Sequence, residues 1–450
     1  MSFLQSVLKS LRSNIDILEA EFSRQSLPSP EPFLPAVEDK DEVLPSWAAF
    51  DAVEKIRLDV RALDAAVTPS HIKLLELGLF PIKTSCLNIA VELNISSIID
   101  EAGGKAKLVD IADKLDVNEH KLGRVLRSLT EEFVYQEVSP GIFSNTRHGK
   151  LLTNGNASRF LSLLTQEGLQ SATGLRRDLT SENTKNSFAP DSAPFCSTVA
   201  KNGETFFEYM SQAAHADILE KVTLGVVPWL NRLTRPALLQ DFPWSERGDA
   251  HVIDVGCGPG DSGVDILRQN PGLRWTFQDL PPVIEQLKVS LPSDLSPKLT
   301  HGSIQCIVQD YFKENVSEGD IWYLRGVIRE YDDPEAVAVL SNIAAAMRKT
   351  PGSRMVINEI LNASPFINLA ADDKNDKRAT AQLAPSIMVP DKQSRLTGLA
   401  NLMTWNTFLF FGGKERSFTE VEQILHQAGL KATRFFPFRS ITCMIECEVK

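Results

Sequence analysis

The sequence predicts an α/β fold: a doubly wound, Rossmann-like parallel sheet in the C-terminal half, preceded by an all-helical region that ends in a winged-helix pattern. Two observations carry this expectation. Residues 251–279, HVIDVGCGPGDSGVDILRQNPGLRWTFQD, read as strand, glycine turn, helix and second strand ending in an acid, the plan of a mononucleotide-binding half. Beyond them, apolar runs of strand length alternate with helical segments, and such alternation builds a parallel sheet.

Taken in order, residues 1–45 predict an amphipathic helix, with Phe3, Leu4, Val7, Leu8, Leu11, Ile15, Leu18 and Phe22 on one side, then a linker rich in proline and acid. Residues 46–170 predict a helical domain. Its run IKLLELGLFPIKTSCLNIAVEL is more apolar than one surface helix needs, which fits a domain core or a dimer interface equally. Residues 107–145 spell helix, turn, helix and two short strands around Ser139, Pro140 and Gly141, a winged-helix pattern. Its second helix carries Lys121, Arg124 and Arg127 but also Glu119, with Glu131 and Glu132 following, so a scaffold role is favoured over DNA reading. Residues 171–245 predict connecting helices, and 246–450 the α/β domain. There SIQCIVQDYF, DIWYLRGVI and SRMVINEIL are strands, residues 368–394 an insertion loop, and KATRFFPF with ITCMIECEV a closing antiparallel hairpin.

Of the 450 residues 43% are apolar, ample for a large core, and the net charge of −11 argues against wrapping nucleic acid or lying on anionic lipid. The six cysteines form no C-x-x-C pairs, which reads as reduced thiols with neither a zinc site nor a disulfide frame. No apolar run is read as approaching the ~20 residues of a membrane helix, and the N-terminus lacks a continuous signal core. A cytoplasmic protein with no membrane, metal or nucleic-acid partner is therefore expected.

The glycine turn is spaced G-x-G-x-G, not the G-x-G-x-x-G of dinucleotide folds, and Asp254 stands just before its first glycine. Both features fit S-adenosyl-L-methionine (SAM), whose cationic methionine end needs no phosphate cradle. A bare glycine turn also fits a structural loop; the flanking strands and the terminal Asp279, placed to meet ribose hydroxyls, favour nucleoside binding. Asp310 and Glu359 likewise fall near strand C-termini, where such sheets bind ligands.

The ordered motifs D-V-G-C-G-P-G, Q-D-L-P, Q-D-Y-F, Y-L-R-G-V-I, N-E-I-L and F-G-G-K-E-R-S make residues 50–450 resemble the class I O-methyltransferases of plant and fungal secondary metabolism. The resemblance implies an N-terminal helical dimerisation domain, a SAM domain, a homodimer and a small-molecule substrate. It places Gly256 and Gly258 against the methionine part of SAM, Asp279 on the ribose, Asp310 and Phe312 beside the adenine, and Arg325 among the cofactor-binding residues.

The chain departs from that family at the catalytic position. Where members read L-R-x-V-L-H-D-W, with the histidine as base, residues 324–331 read L-R-G-V-I-R-E-Y, and no histidine lies between His301 and His426. A guanidinium stays protonated, so Arg329 is no general base. The family's two orienting glutamates correspond to Glu359 and Glu415.

Three readings follow. Methyl transfer can survive without a base, because proximity supplies ~7–11 kcal/mol and a base only ~10²–10⁴-fold. Alternatively Arg329, aimed by Glu359 or Glu415, polarises a substrate carbonyl while SAM stays intact. That resembles the fungal O-methyltransferase-like pericyclases, which steer dehydration and Diels–Alder-type cyclisation of polyketide-derived substrates. Thirdly, the chain is a non-catalytic regulator. The substrate pocket is expected to draw on Met403, Trp405, Phe408 and Phe411.

Overall fold

The computed structural model describes residues 2–26, 29, 31–33, 44–362 and 395–450. The predicted insertion 368–394 and most of the predicted linker lie outside them. The chain forms two compact units, Met1–Asn186 with Pro190–Leu233, and Ser187–Ala189 with Thr234–Lys450. The four predicted segments are distributed over these two.

In the first unit, helices Phe3–Arg24 and Trp47–Val67 start at Ser2 and Ser46, whose hydroxyls accept Gln5 N–H and Ala49 N–H. Helix Ser70–Glu92 follows. Strand β1 (Lys105–Lys107), helices Leu108–Leu115 and Glu119–Thr130, and strands β2 (Tyr135–Ser139) and β3 (Ile142–Asn145) then form a small sheet of order β1-β3-β2. Its core is Ile95, Ile99, Ile111, Leu126, Tyr135 and Phe143, all fully buried. The expected helix, turn, helix and hairpin are thus present.

The apolar stripe of the first helix is not a core face. Phe3, Leu4, Leu8 and Ile15 are exposed, and only Val7 and Asn14 are buried. The reading that no stretch is long and apolar enough to cross a membrane also needs correction. Helix Ser70–Glu92 contains an 18-residue window of mean hydropathy 1.4, of which 17% is buried. Glu76, Pro81 and Lys83 interrupt the run along the sequence, yet the helix continues through all three. Leu74, Leu75, Leu77, Phe80 and Ile82 are 50–68% exposed.

The second unit carries the larger sheet: β4 (His251–Val255), β5 (Arg274–Asp279), β6 (Ile304–Val308), β7 (Ile321–Arg325), β8 (Arg354–Ile360), β9 (Leu430–Pro437) and β10 (Thr442–Val449). Their order is β6-β5-β4-β7-β8-β10-β9, with β10 antiparallel to both β8 and β9 and the other pairs parallel. Such strands are buried on both faces and read as near-continuous apolar runs, as in Val252, Ile253 and Val255 or Trp322, Tyr323 and Leu324. Helix Asp333–Met347 and helix Phe418–Gln427 bury Leu340, Ile343, Ile424 and Leu425 against them. The chain runs from β4 outward to β6 and then returns to β7 on the other side of β4. This reversal places a topological switch point at the C-terminal ends of β4 and β7, where a ligand crevice forms.

Candidate active site

The turn after β4 adopts backbone that favours glycine, with φ of +69° at Gly256, +53° at Gly258 and +78° at Gly260. A Cβ on Gly256 would lie 3.0 Å from the Val327 side chain, whereas one on Gly258 would meet nothing within 4 Å. The first glycine is closely packed as well as left-handed, and the second borders open space. Gly256 N–H and Cys257 N–H donate to the Gln278 carbonyl at 2.9 and 3.1 Å, and Gly258 N–H donates to the Asp279 carboxylate at 2.9 Å. The turn is therefore fastened to the end of β5. An open glycine cradle fastened to a carboxylate fits a cationic nucleoside better than a diphosphate.

Asp254 faces inward at 3% exposure, and its carboxylate accepts the Trp275 indole N–H at 3.1 Å. Burial pushes its pKa up to about 7; the Trp275 bond and the nearby Arg325 pull it back, while Asp279 adds to the rise. Arg325, at the end of β7, donates to Ser262 Oγ at 2.5 Å and Thr234 Oγ1 at 2.8 Å. After β6, Asp310 accepts Phe312 N–H at 2.9 Å. The Phe312 ring meets Tyr331 edge-on at 5.1 Å, and the hydroxyls of Tyr311 and Tyr331 lie 2.6 Å apart.

Arg329 sits in the short turn Ile328–Glu330 that follows β7. Its guanidinium reaches Glu415 Oε1 at 3.3 Å, and the Thr407 hydroxyl holds the same oxygen at 2.9 Å. Of the two glutamates expected to aim it, Glu415 makes the contact. Glu359, near the end of β8, instead accepts the Ile328 backbone N–H at 3.2 Å. Arg329 Nε, Glu359 Oε2 and Glu415 Oε2 are all buried without a hydrogen-bonding partner. Behind them a cavity of about 10 Å³, lined by Arg329, Glu359, Arg416 and Val421 among others, has room for one water.

Burial raises Glu359 to about 8; Arg329 opposes the rise, and Glu415 and Glu330 reinforce it. Glu359 is therefore protonated at neutral pH. The folded protein keeps this proton from its ordinary value of 4.5 up to about 8, while the unfolded chain releases it. Stability is undiminished below the lower value and falls as pH rises towards the upper one. Asp254 acts in the same direction up to about 7. Glu359→Gln is expected to melt with wild type at pH 4.5 and above it at pH 8, by ~2–4 °C per kcal/mol recovered. Equal melting temperatures at pH 8 would show that Glu359 is ionised in the folded protein.

The expected pocket residues lie on helix Arg395–Phe411. Met403, Phe408 and Phe411 are half-buried, Trp405 is 45% exposed, and Phe408 packs edge-on against both Trp405 and Phe188. The structure ties this helix to the site through Thr407, which sequence reading missed. It also missed Arg416, a guanidinium 2% exposed that donates to the carbonyls of Ile328, Tyr331 and Lys414 and to Asp333. Arg416 clasps the turn that carries Arg329. The F-G-G-K-E-R-S motif displayed it, but only the glutamate of that motif was assigned a role.

Family models match residues 203–376, as an O-methyltransferase domain, and residues 76–155, as an O-methyltransferase dimerisation domain. An O-methyltransferase of Armillaria gallica is 25% identical, covering 95% of this chain and 94% of that protein. The sterigmatocystin 8-O-methyltransferase of Aspergillus flavus is also 25% identical, covering 78% and 75%. Among solved structures, mitomycin 7-O-methyltransferase MmcR matches with TM-score 0.62 and 20% identity over 87% of this chain and all of that one. LepI bound to S-adenosylhomocysteine (SAH) and a substrate analogue matches with TM-score 0.65 and 16% identity, covering 88% and 93%. Together with the glycine turn, Asp279 and the seven-stranded sheet, these matches show that the chain belongs to the class I SAM-dependent O-methyltransferase family.

Proposed function

We propose that this SAM-dependent enzyme acts on a small, polyketide-derived molecule as a pericyclase, with Arg329 as electrostatic catalyst and SAM retained. The observation that carries this reading is Arg329 itself, an always-charged donor braced by Glu415 where relatives of this family use a base. Asp279 and the Gly256–Gly258 turn would hold the cofactor, whose sulfonium adds positive charge to the site. Arg329 donates to a substrate carbonyl on which negative charge builds during cyclisation. Glu415 and Thr407 orient the guanidinium. Protonated Glu359 fixes the Ile328 N–H and leaves the positive charge of Arg329 less neutralised than an ionised glutamate would. The likeness in fold to LepI and to a pericyclic reaction enzyme (TM-score 0.67, 16% identity, covering 89% of this chain and 94% of that one) is consistent with this reading.

The named relatives favour a second reading, O-methylation of an acidic hydroxyl positioned without a base. The two are separated by mass spectrometry of the cofactor after turnover. SAM recovered intact supports the first, and SAH in amounts equal to product establishes the second. A DNA-reading regulator has less support, since Arg127 is already bonded twice to Glu137.

For the exposed apolar face of helix Ser70–Glu92 we propose burial in a homodimer, because it overlaps the matched dimerisation region. Light scattering is expected to report twice the chain mass of 49.8 kDa. A monomer at micromolar concentration would leave that face to another partner.

A further inference from the structure

Phe188 lies in the segment Ser187–Ala189, which packs with the second unit although the chain on either side of it belongs to the first. Ala189 N–H donates to the Ser187 hydroxyl at 3.2 Å, which rounds the segment into a bend. The Phe188 ring is half-buried. It meets Phe408 edge-on at 6.0 Å, and the Lys414 ammonium stands over it at 5.3 Å. Both contacts are attractive, the first between ring quadrupoles and the second between a cation and a ring face. Both partners are also chain neighbours of the residues that brace Arg329: Phe408 follows Thr407, and Lys414 precedes Glu415. One ring therefore touches both arms of the bend that brings the Thr407 hydroxyl to Glu415.

The backbone approaches as closely. Gly412 has φ of +71°, and a Cβ there would lie 2.5 Å from the Ala189 carbonyl oxygen and 3.1 Å from that of Phe188. A Cβ on Gly413 would collide with the Arg329 carbonyl oxygen. Two adjacent glycines thus carry two close approaches, the first to residues 188–189 and the second to Arg329. Lys414 bonds Asp332 and Asp333, just past the turn that holds Arg329, so ring, lysine and turn form one chain of contacts.

We propose that Ser187–Ala189 is a latch on the bend at Gly412–Gly413, and that Phe188 is thereby a positioning residue for Arg329. The inference rests on the reading of Arg329 as electrostatic catalyst and deepens it. With the ring in place, Phe408 and Lys414 stay together, Glu415 keeps its bond to Thr407, and the guanidinium keeps its brace.

The test is hydrogen exchange of the full chain, without ligand, in wild type and Phe188→Ala. The N–H groups of Gly326, Ile328, Glu330 and Gly412 are hydrogen-bonded and so report local opening. They are expected to exchange about 10-fold faster in the variant, while those of β4 stay unchanged. Phe188→Leu, which keeps apolar bulk without a ring face, should fall between the two. Turnover should drop about 10- to 100-fold in Phe188→Ala, as misplacement of a positioned group does. Added to Arg329→Ala, the same substitution should cost nothing further, because its effect passes through Arg329. Unchanged exchange at all four amides would overturn the latch. Faster exchange in β4 as well, or a turnover loss undiminished in the Arg329→Ala background, would reduce Phe188 to packing and overturn its positioning role. Wild-type turnover in Arg329→Ala would remove the reading of Arg329 alone, and the exchange result would still judge the latch.

Discussion

Arg329→Ala is expected to lower turnover by about 10²–10³-fold while SAM affinity stays within about twofold, because it removes one preorganised donor and leaves the cofactor residues in place. The effect is large because the guanidinium does not have to be ordered at the moment of reaction: Glu415, whose side chain is 1% exposed and is itself held by the Thr407 hydroxyl, already braces it. Arg329→Lys should recover only part of the rate, since an ammonium lacks the planar fork. Arg329→His separates the two chemistries. It should raise activity if the enzyme transfers a methyl group, by restoring a base, and should not if Arg329 acts as a fixed cation. Steady-state turnover with calorimetry of SAM provides both readouts. Wild-type turnover in Arg329→Ala would take the residue out of the mechanism.

Arg416→Met is expected to be the most damaging change away from the substrate. It leaves the carbonyls of Ile328 and Tyr331 without the donor they now have at 2.8 Å each. Each buried acceptor left unsatisfied costs about 1–3 kcal/mol. The Asp333 bond counts for less, since that carboxylate is 43% exposed and Lys414 also holds it. The melting temperature should fall by several degrees, at ~2–4 °C per kcal/mol. Turnover should fall beyond what the unfolded fraction explains, because the turn carrying Arg329 loses its clasp. SAM affinity of the folded fraction should change little. Arg416→Lys should recover part of the melting temperature and less of the turnover, since one ammonium cannot span the same acceptors. Wild-type melting and turnover in Arg416→Met would show that the turn holds itself.

The larger sheet and the cofactor half of the site were legible because their signals are local. A glycine turn between two apolar strands specifies its own geometry, and Asp279 follows the second strand directly. The arginine half was legible only as a set of residues. Either Glu359 or Glu415 was expected to brace Arg329, and the choice between them depends on how two distant loops meet. Gly413 allows that meeting, since a Cβ there would lie 2.4 Å from the Arg329 carbonyl oxygen. Arg416 was hidden for the same reason: its acceptors are backbone carbonyls 85 and 88 residues away, and carbonyls leave no mark on a sequence. Helix Ser70–Glu92 failed differently. Its scattered charges (Lys73, Glu76, Lys83 and Glu92) and Pro81 break the apolar run along the sequence, but in a helix they leave a wide face uninterrupted.

The position of β10 bears on how the chain comes to be folded at all. Strand β8, which carries Glu359, finds its outer neighbour in β10, and Cys443 Sγ rests against the Glu359 carbonyl from 84 residues later in the chain. As the polypeptide leaves the ribosome, the five parallel strands emerge first, with β8 as an apolar edge that has nothing to pair with. Unpaired edges of that kind invite pairing with other chains. The sheet edge that carries Glu359 is thus covered only by late-made residues, and chaperone demand should be greatest in the interval between synthesis of β8 and of β10.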